Sequence, residues 1–211
     1  MTDDPAGDRS VSTDDTPRER SKRPEGVPVW NDDYLDRVGL RLAHHYDLER
    51  DHVVAGERFS LYGEMHVRHE RHAIHPALTF GHHEAEEYLF VRRVDRPAVV
   101  ELESMETLGE RLADERIEAD EDHYSTDFTF VLIADSIPDD VREFVAGYRN
   151  RTLLNYGYFG HYEINLLVVT PEGEASVASR EADVESAFRV WEPIDVQEPG
   201  RLDRFLGWLS R

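Results

Sequence analysis

The sequence predicts one α/β (α+β) domain, a mixed sheet in the order α-β-β-β-α-β-α-β-β with flanking helices and a C-terminal amphipathic helix. Three observations carry this reading. The runs Thr126 to Ala134 and Tyr162 to Thr170 are nearly continuously apolar, the pattern of central strands buried on both faces. From Phe59 the period is two, as in a half-buried strand. Between these segments apolar residues recur at helical spacing, most cleanly Val141, Phe144, Val145 and Tyr148. Strands interleaved with helices imply a sheet covered by helices.

The elements follow in order. Residues 1 to 26 mix Asp, Ser, Thr, Pro, Arg and Gly with almost no large apolar side chains, so they are expected to form a disordered tail ahead of a single domain spanning 27 to 211. Asn31 or Asp32 can cap a first helix whose Leu35, Val38, Leu42 and Tyr46 share a face. Phe59, Leu61, Gly63, Met65 and Val67 then point to one side of a strand, and Ser60, Tyr62, Glu64, His66 and Arg68 to the other. Further strands are expected around Ala77 to Phe80 and Glu87 to Val94, separated by Gly81-His82-His83. Ser104 is the expected cap of a helix carrying Met105, Leu108, Leu112 and Ile117. Pro138 suits a helix start. Pro171-Glu172-Gly173 turns the second central strand into a hairpin, and residues 180 to 191 lean weakly to helix. Past Pro199-Gly200, Leu202, Phe205, Leu206 and Leu209 form a short stripe that suits docking of a terminal helix on its own domain.

Charge sets the setting. The chain of 211 residues has 24 basic and 45 acidic side chains, a net charge of -21, and Lys22 is its one lysine. Residues 1 to 26 hold seven acids and five bases, a net of -2, which leaves -19 on the remainder. That acidity belongs to a folded surface. At about 1 M salt the Debye length is about 3 Å, so such a surface repels itself little and stays hydrated. The composition therefore points to the cytoplasm of a halophile. Phosphate contacts weaken steeply with salt, and no basic stripe exists, which disfavours nucleic-acid partners. The absence of cysteine excludes disulfides, thiolate nucleophiles and Cys-ligated zinc. No apolar run approaches the roughly 18 residues of a membrane span, and MTDDPAGDRS lacks the apolar core of a secretory signal.

The segments Phe59-Ser60-Leu61-Tyr62-Gly63, Arg68-His69-Glu70-Arg71, His123-Tyr124-Ser125-Thr126 and Gly157-Tyr158-Phe159-Gly160-His161, in this order, resemble an uncharacterised archaeal and bacterial family, a domain of unknown function, over roughly residues 35 to 180. The resemblance implies a haloarchaeal member. It transfers no role to any residue, because no activity attaches to the family.

Three constellations can carry chemistry. Nine of the eleven histidines lie between His44 and His83. A divalent metal held by Glu64, His66, His72 and His83 would make the protein a metal-dependent hydrolase, since imidazole suits zinc, copper, nickel and iron. The plainer reading is a solvated sheet face. His123, Ser125 and Asp127 supply the residue types of a serine hydrolase triad, but strand spacing and the lack of Gly-x-Ser-x-Gly argue against it. The third is the loop from Arg149 to His161, with two arginines, three aromatics and two glycines among Arg149, Arg151, Asn155, Tyr156, Gly157, Tyr158, Phe159, Gly160 and His161. Glycines allow close backbone approach and arginines grip carboxylates or phosphates. The expected ligand-binding residues are Arg149, Arg151, Asn155, Tyr158 and His161, and the expected ligand is a small anion or a protein partner. If the arginines pair instead with acids such as Glu143 or Glu163, they stitch the loop to the sheet. The leading expectation is an accessory domain that binds through this loop.

Overall fold

The computed structural model describes residues 23–69 and 83–193. The chain order is α1 (Asp33–Leu42), β1 (Asp47–Val54), β2 (Glu57–His69), β3 (His83–Arg93), α2 (Val99–Arg116), β4 (His123–Ile133), α3 (Asp139–Gly147), β5 (Asn150–Leu153), β6 (His161–Thr170), β7 (Ala175–Ala178) and α4 (Glu185–Phe188). A seven-stranded mixed sheet runs β1-β2-β3-β4-β6-β5, with β7 also paired to β6. β3, β4 and β6 are parallel, and every other pair is antiparallel. The predicted α/β (α+β) class holds.

Both faces of the sheet are buried. On one side α2 and α3 lay Leu102, Met105, Leu112, Val141 and Val145 over Phe90, Phe128, Phe130, Leu166 and Val168. On the other, α1 and α4 place Leu35, Val38, Leu42 and Phe188 over Leu61, Leu89, Val131, Ile133, Leu167 and Val169. This double covering explains the continuous apolar runs of β4 and β6. It also breaks the alternation expected from Phe59. Phe59 packs against Phe90 and Phe130 in the same layer as Tyr62, whereas Leu61 and Met65 lie in the opposite layer. The slip falls where Asp51 of the neighbouring strand turns left-handed, at φ 55°.

Asp32 caps α1 as expected, accepting from the backbone of Tyr34 and Leu35 at 3.0 and 3.1 Å. Ser104 does not cap α2. That helix starts five residues earlier, after the extended Ala98, and the Ser104 hydroxyl donates back to the carbonyl of Val100 at 2.9 Å inside the helix. β1 had no periodic signal because its side chains are mostly charged. It forms by hairpin pairing with β2 across Ala55-Gly56, whose φ angles of 54° and 87° suit a tight two-residue turn. β5 was also unforeseen. The strand expected at Ala77 to Phe80, the C-terminal amphipathic helix and residues 1 to 22 of the expected tail lie outside the described residues. Residues 23 to 26 do not, and Arg23 pairs with Asp36 of α1 at 2.5 Å.

The two ends of the described domain are clasped. Tyr34 donates to the carbonyl of Phe188 at 2.8 Å and Arg37 to that of Val190 at 2.6 Å. Arg41 reaches the carbonyls of Ser186, Arg189 and Glu192 at 3.1, 3.0 and 2.6 Å. Among the described residues no helix is long and apolar enough to cross a membrane.

Candidate functional site

The polar residues of the sheet gather at the end where β4 and β6 begin. On the α1 side, Glu87, Asp127 and Glu163 stand in lateral register on β3, β4 and β6, and Arg151 of β5 extends the row. Asp127 and Glu163 are buried. Ser125 and His161 lie beside this row, and Thr129 and Asn165 form the next one, all four buried. Adjacent strands are about 4.8 Å apart, which brings the three carboxyl groups into one row. Tyr46 donates to Glu87 Oε2 at 2.5 Å. Burial, and next the charge of Glu87, push that phenol well above its ordinary pKa, so it stays a donor. Ser179 Oγ accepts from the backbone of Leu166 at 3.0 Å and approaches Asn165 Oδ1 at 3.3 Å, tying β7 to the second row.

Arg151 and His161 of the expected ligand-binding set meet at Glu163. Arg151 Nη1 lies 3.2 Å and His161 Nε2 3.4 Å from Glu163 Oε1, and Arg151 Nη2 stands 3.3 Å from His161 Nδ1. Arginine only donates, so in this contact Nδ1 is the acceptor. This is the stitching arrangement. Arg151→Gln is expected to cost about 1–2 kcal/mol, below the range for a fully buried pair because the guanidinium is half exposed. Arg149 is exposed between α3 and β5, and Arg149→Gln is expected to stay within about 0.5 kcal/mol of the wild type. Chemical denaturation of both variants checks this, and equal effects would contradict it.

Asn155 and Tyr158 lie apart from that cluster, on the turn joining β5 to β6. Asn155, Tyr156 and Gly157 take φ of 44°, 58° and 88° in succession, and Gly160 returns at 72°. The turn is tied by Leu154 N to Gly160 O at 3.0 Å, Tyr158 N to Asn155 O at 3.1 Å and Phe159 N to Leu154 O at 3.3 Å. His123 anchors it from β4, with Nδ1 2.7 Å from the carbonyl of Phe159 and Nε2 2.9 Å from Thr126 Oγ1. His123 is thereby committed away from Ser125, so no triad assembles. Held this way, the turn leaves Tyr156 93% and Tyr158 83% exposed, beside Leu153 at 59%.

The expected metal residues divide. Glu64 and His66 come together on the α2 side, where His66 Nε2 lies 2.5 Å from Glu64 Oε1 and Nδ1 3.1 Å from Glu86 Oε1. Burial disfavours the imidazolium, but the hydrogen bond to Glu64 and the charge of Glu86 outweigh it and raise His66 above its ordinary pKa. Both ring nitrogens face carboxylates. Tyr62 donates to Glu64 at 2.8 Å, and Arg116 reaches the Tyr62 hydroxyl at 3.1 Å while its guanidinium stacks 4.6 Å from the Tyr88 ring. His83 opens β3 across from His69, and His72 lies outside the described residues. Among the described residues no group of three or more His, Asp or Glu is arranged to hold a metal ion.

The pattern of a described protein family, "Domain of unknown function (DUF8052)", matches residues 31–190. The chain belongs to this family. The match starts beside the α1 cap and ends at the clasp after α4, so the DUF8052 span contains the whole sheet and, apart from Trp30, the buried residues of both layers. No curated protein and no solved structure matches the chain.

The buried polar rows were missed in the sequence although a signal was there. Ser125, Asp127 and Thr129 in β4, and His161, Glu163 and Asn165 in β6, are polar at alternate positions of largely buried central strands. Two parallel strands with matching polar triplets predict one polar patch on one face.

Proposed function

We propose that this DUF8052 domain is an accessory module that docks a protein partner through β5 and the loop from Arg149 to His161, in the cytoplasm of a salt-adapted cell. The observation that carries the reading is the exposure of Tyr156 and Tyr158 on a turn with three successive left-handed residues. A non-glycine residue in that conformation costs on the order of 1 kcal/mol, and such strain is concentrated at functional sites. Here the backbone meets the cost twice, at Asn155 and Tyr156, and the result is two aromatic rings held outward. Tyrosine gives large contact area with few rotatable bonds and is enriched among residues that dominate binding energy.

The surroundings favour a protein over a small anion. Of the two arginines expected to grip an anion, Arg151 is already engaged by Glu163 and His161. From Phe144 to Tyr162 the chain carries no Asp or Glu, in a protein with 45 of them, so this surface lacks the repulsion that the acidic remainder imposes. The salt-adapted setting rests on the excess of arginine over lysine and the net charge of -21.

The test is a photo-crosslinking residue at position 156 in the native host, followed by titration of the purified crosslinked partner. The double variant Tyr156→Ala/Tyr158→Ala is expected to keep its stability within about 0.5 kcal/mol, as exposed substitutions do, and to bind at least about tenfold more weakly, the loss of one aromatic anchor. Unchanged affinity would remove the loop from the function.

A further inference from the structure

Among the described residues the sheet is bounded by β1 on one side and by β5 and β7 on the other, and β1 and β5 differ in a way that identifies a partner. β1 is protected. Asp47, Glu49, Arg50 and Asp51 charge it, Arg50 and Asp51 pair at 3.3 Å, Glu49 lies 2.7 Å from His52, and Asp51 distorts the backbone at φ 55°. Charge and irregularity are the means by which edge strands resist pairing. β5, Asn150-Arg151-Thr152-Leu153, has neither acid nor distortion, and Arg151, Thr152 and Leu153 are exposed. No strand pairs with its outer side among the described residues.

We infer that β5 pairs antiparallel with β5 of a second copy of this chain, joining two sheets across a two-fold axis at Thr152. The inference rests on the docking reading above and names its partner. The Leu154 N to Gly160 O bond fixes which backbone groups of β5 face inward. Alternation then directs the N–H and C=O of Arg151 and Leu153 outward. Centred on Thr152, the register sets Arg151 opposite Leu153 of the other copy, and the reverse, so all four outward groups on each strand find partners. Centred on Arg151, it would oppose two guanidinium groups, which is unfavourable. The antiparallel direction also carries the Tyr156 and Tyr158 turn of each copy toward Gly147 and Arg149 of the other, where a ring and a guanidinium can stack. Two copies that each carry -21 meet here along an acid-free stretch. A closed two-fold contact follows, self-complementary and limited to two chains.

The chain has no cysteine, so single substitutions report cleanly. In the proposed register the two Thr152 residues form a non-hydrogen-bonded pair, with Cα atoms about 4.5 Å apart, inside the range a disulfide spans. Thr152→Cys in the full chain should yield a covalent dimer under mild oxidation, and Val53→Cys on β1 should not. Light scattering in roughly 2 M potassium chloride, where charges are screened, should show a concentration-dependent dimer of the wild type. Leu153→Pro removes an outward N–H at φ -82°, close to the angle proline prefers, and should weaken the dimer at least tenfold. Thr152→Lys, which forces two strongly hydrated ammonium groups into the close central pair without touching the core, should do the same if the proline variant is poorly folded. A wild type that stays monomeric, or a dimer indifferent to both variants with no crosslink at position 152, overturns the inference. If the chain is monomeric while Tyr156→Ala/Tyr158→Ala still loses a crosslinked partner, the second copy is wrong and the docking reading stands. If that double variant also binds unchanged, both fail.

Discussion

Gly160→Ala should largely unfold this domain, while Gly157→Ala should leave it folded. Both glycines have positive φ, at 72° and 88°, so each alanine meets the left-handed penalty of about 1 kcal/mol. Their surroundings separate them. A Cβ on Gly157 meets nothing closer than 4.0 Å, but one on Gly160 would stand 2.0 Å from the carbonyl oxygen of Tyr124 and 2.6 Å from its carbonyl carbon. Those atoms belong to the backbone of β4 and cannot rotate away. Relief requires separating the starts of β4 and β6, which carry Ser125 opposite His161 and Asp127 opposite Glu163. The cost should exceed about 4 kcal/mol, a large part of the total stability of an ordinary domain. Urea unfolding followed by far-ultraviolet circular dichroism checks the pair, and similar midpoints for the two variants would show that the turn yields more easily than its contacts imply.

The other large effect is expected from salt. Residues 27 to 211 carry -19, and the screening length grows from about 3 Å at 1 M to about 10 Å at 0.1 M. Neighbouring surface carboxylates then interact across several side chains, and the compact state suffers more than the expanded one. Between roughly 2 M and 0.1 M potassium chloride the melting temperature should fall by on the order of 10 °C or more, since about 1 kcal/mol moves a chain of this size by about 2–4 °C. Differential scanning fluorimetry over that series decides it. A flat profile would mean that the acidity is not tuned to salt.

Much of the fold could be read from residues whose burial imposes a period. Leu35, Val38 and Leu42 announced α1, Val141 and Val145 announced α3, and the apolar runs announced β4 and β6. Elements that exist by pairing had no such signal. β1 is mostly charged and is a strand because the Ala55-Gly56 turn returns it onto β2. β5 has four residues, too few for a pattern, and forms because Gly160 lets the chain pass close to β4. The helix cap expected at Ser104 failed for a local reason, since a serine hydroxyl inside a helix can bond the carbonyl four residues back as readily as it can cap. At the site, Arg151 and His161 were singled out for their chemistry, and the acid they share, Glu163, was named as a pairing alternative. The alternating polar residues of β4 and β6 were legible, but the lining up of Glu87, Asp127 and Glu163 across three strands was not, because strand order and register decide it and neither is encoded in any one segment.

The arginine clasp between α1 and the residues after α4 bears on how the domain can be arranged within a longer chain. Arg37 and Arg41 hold carbonyls some 150 positions away, so the first and last turns of the DUF8052 span emerge side by side. Arg41 spreads its contacts over both terminal guanidinium nitrogens, whereas a lysine would have to reach all three carbonyls from one nitrogen. Neighbouring ends let a domain be inserted into a host loop or circularly permuted with little distortion, since a short linker closes the gap. The same arginines that mark the chain's composition would thus allow it to be transplanted as a cassette.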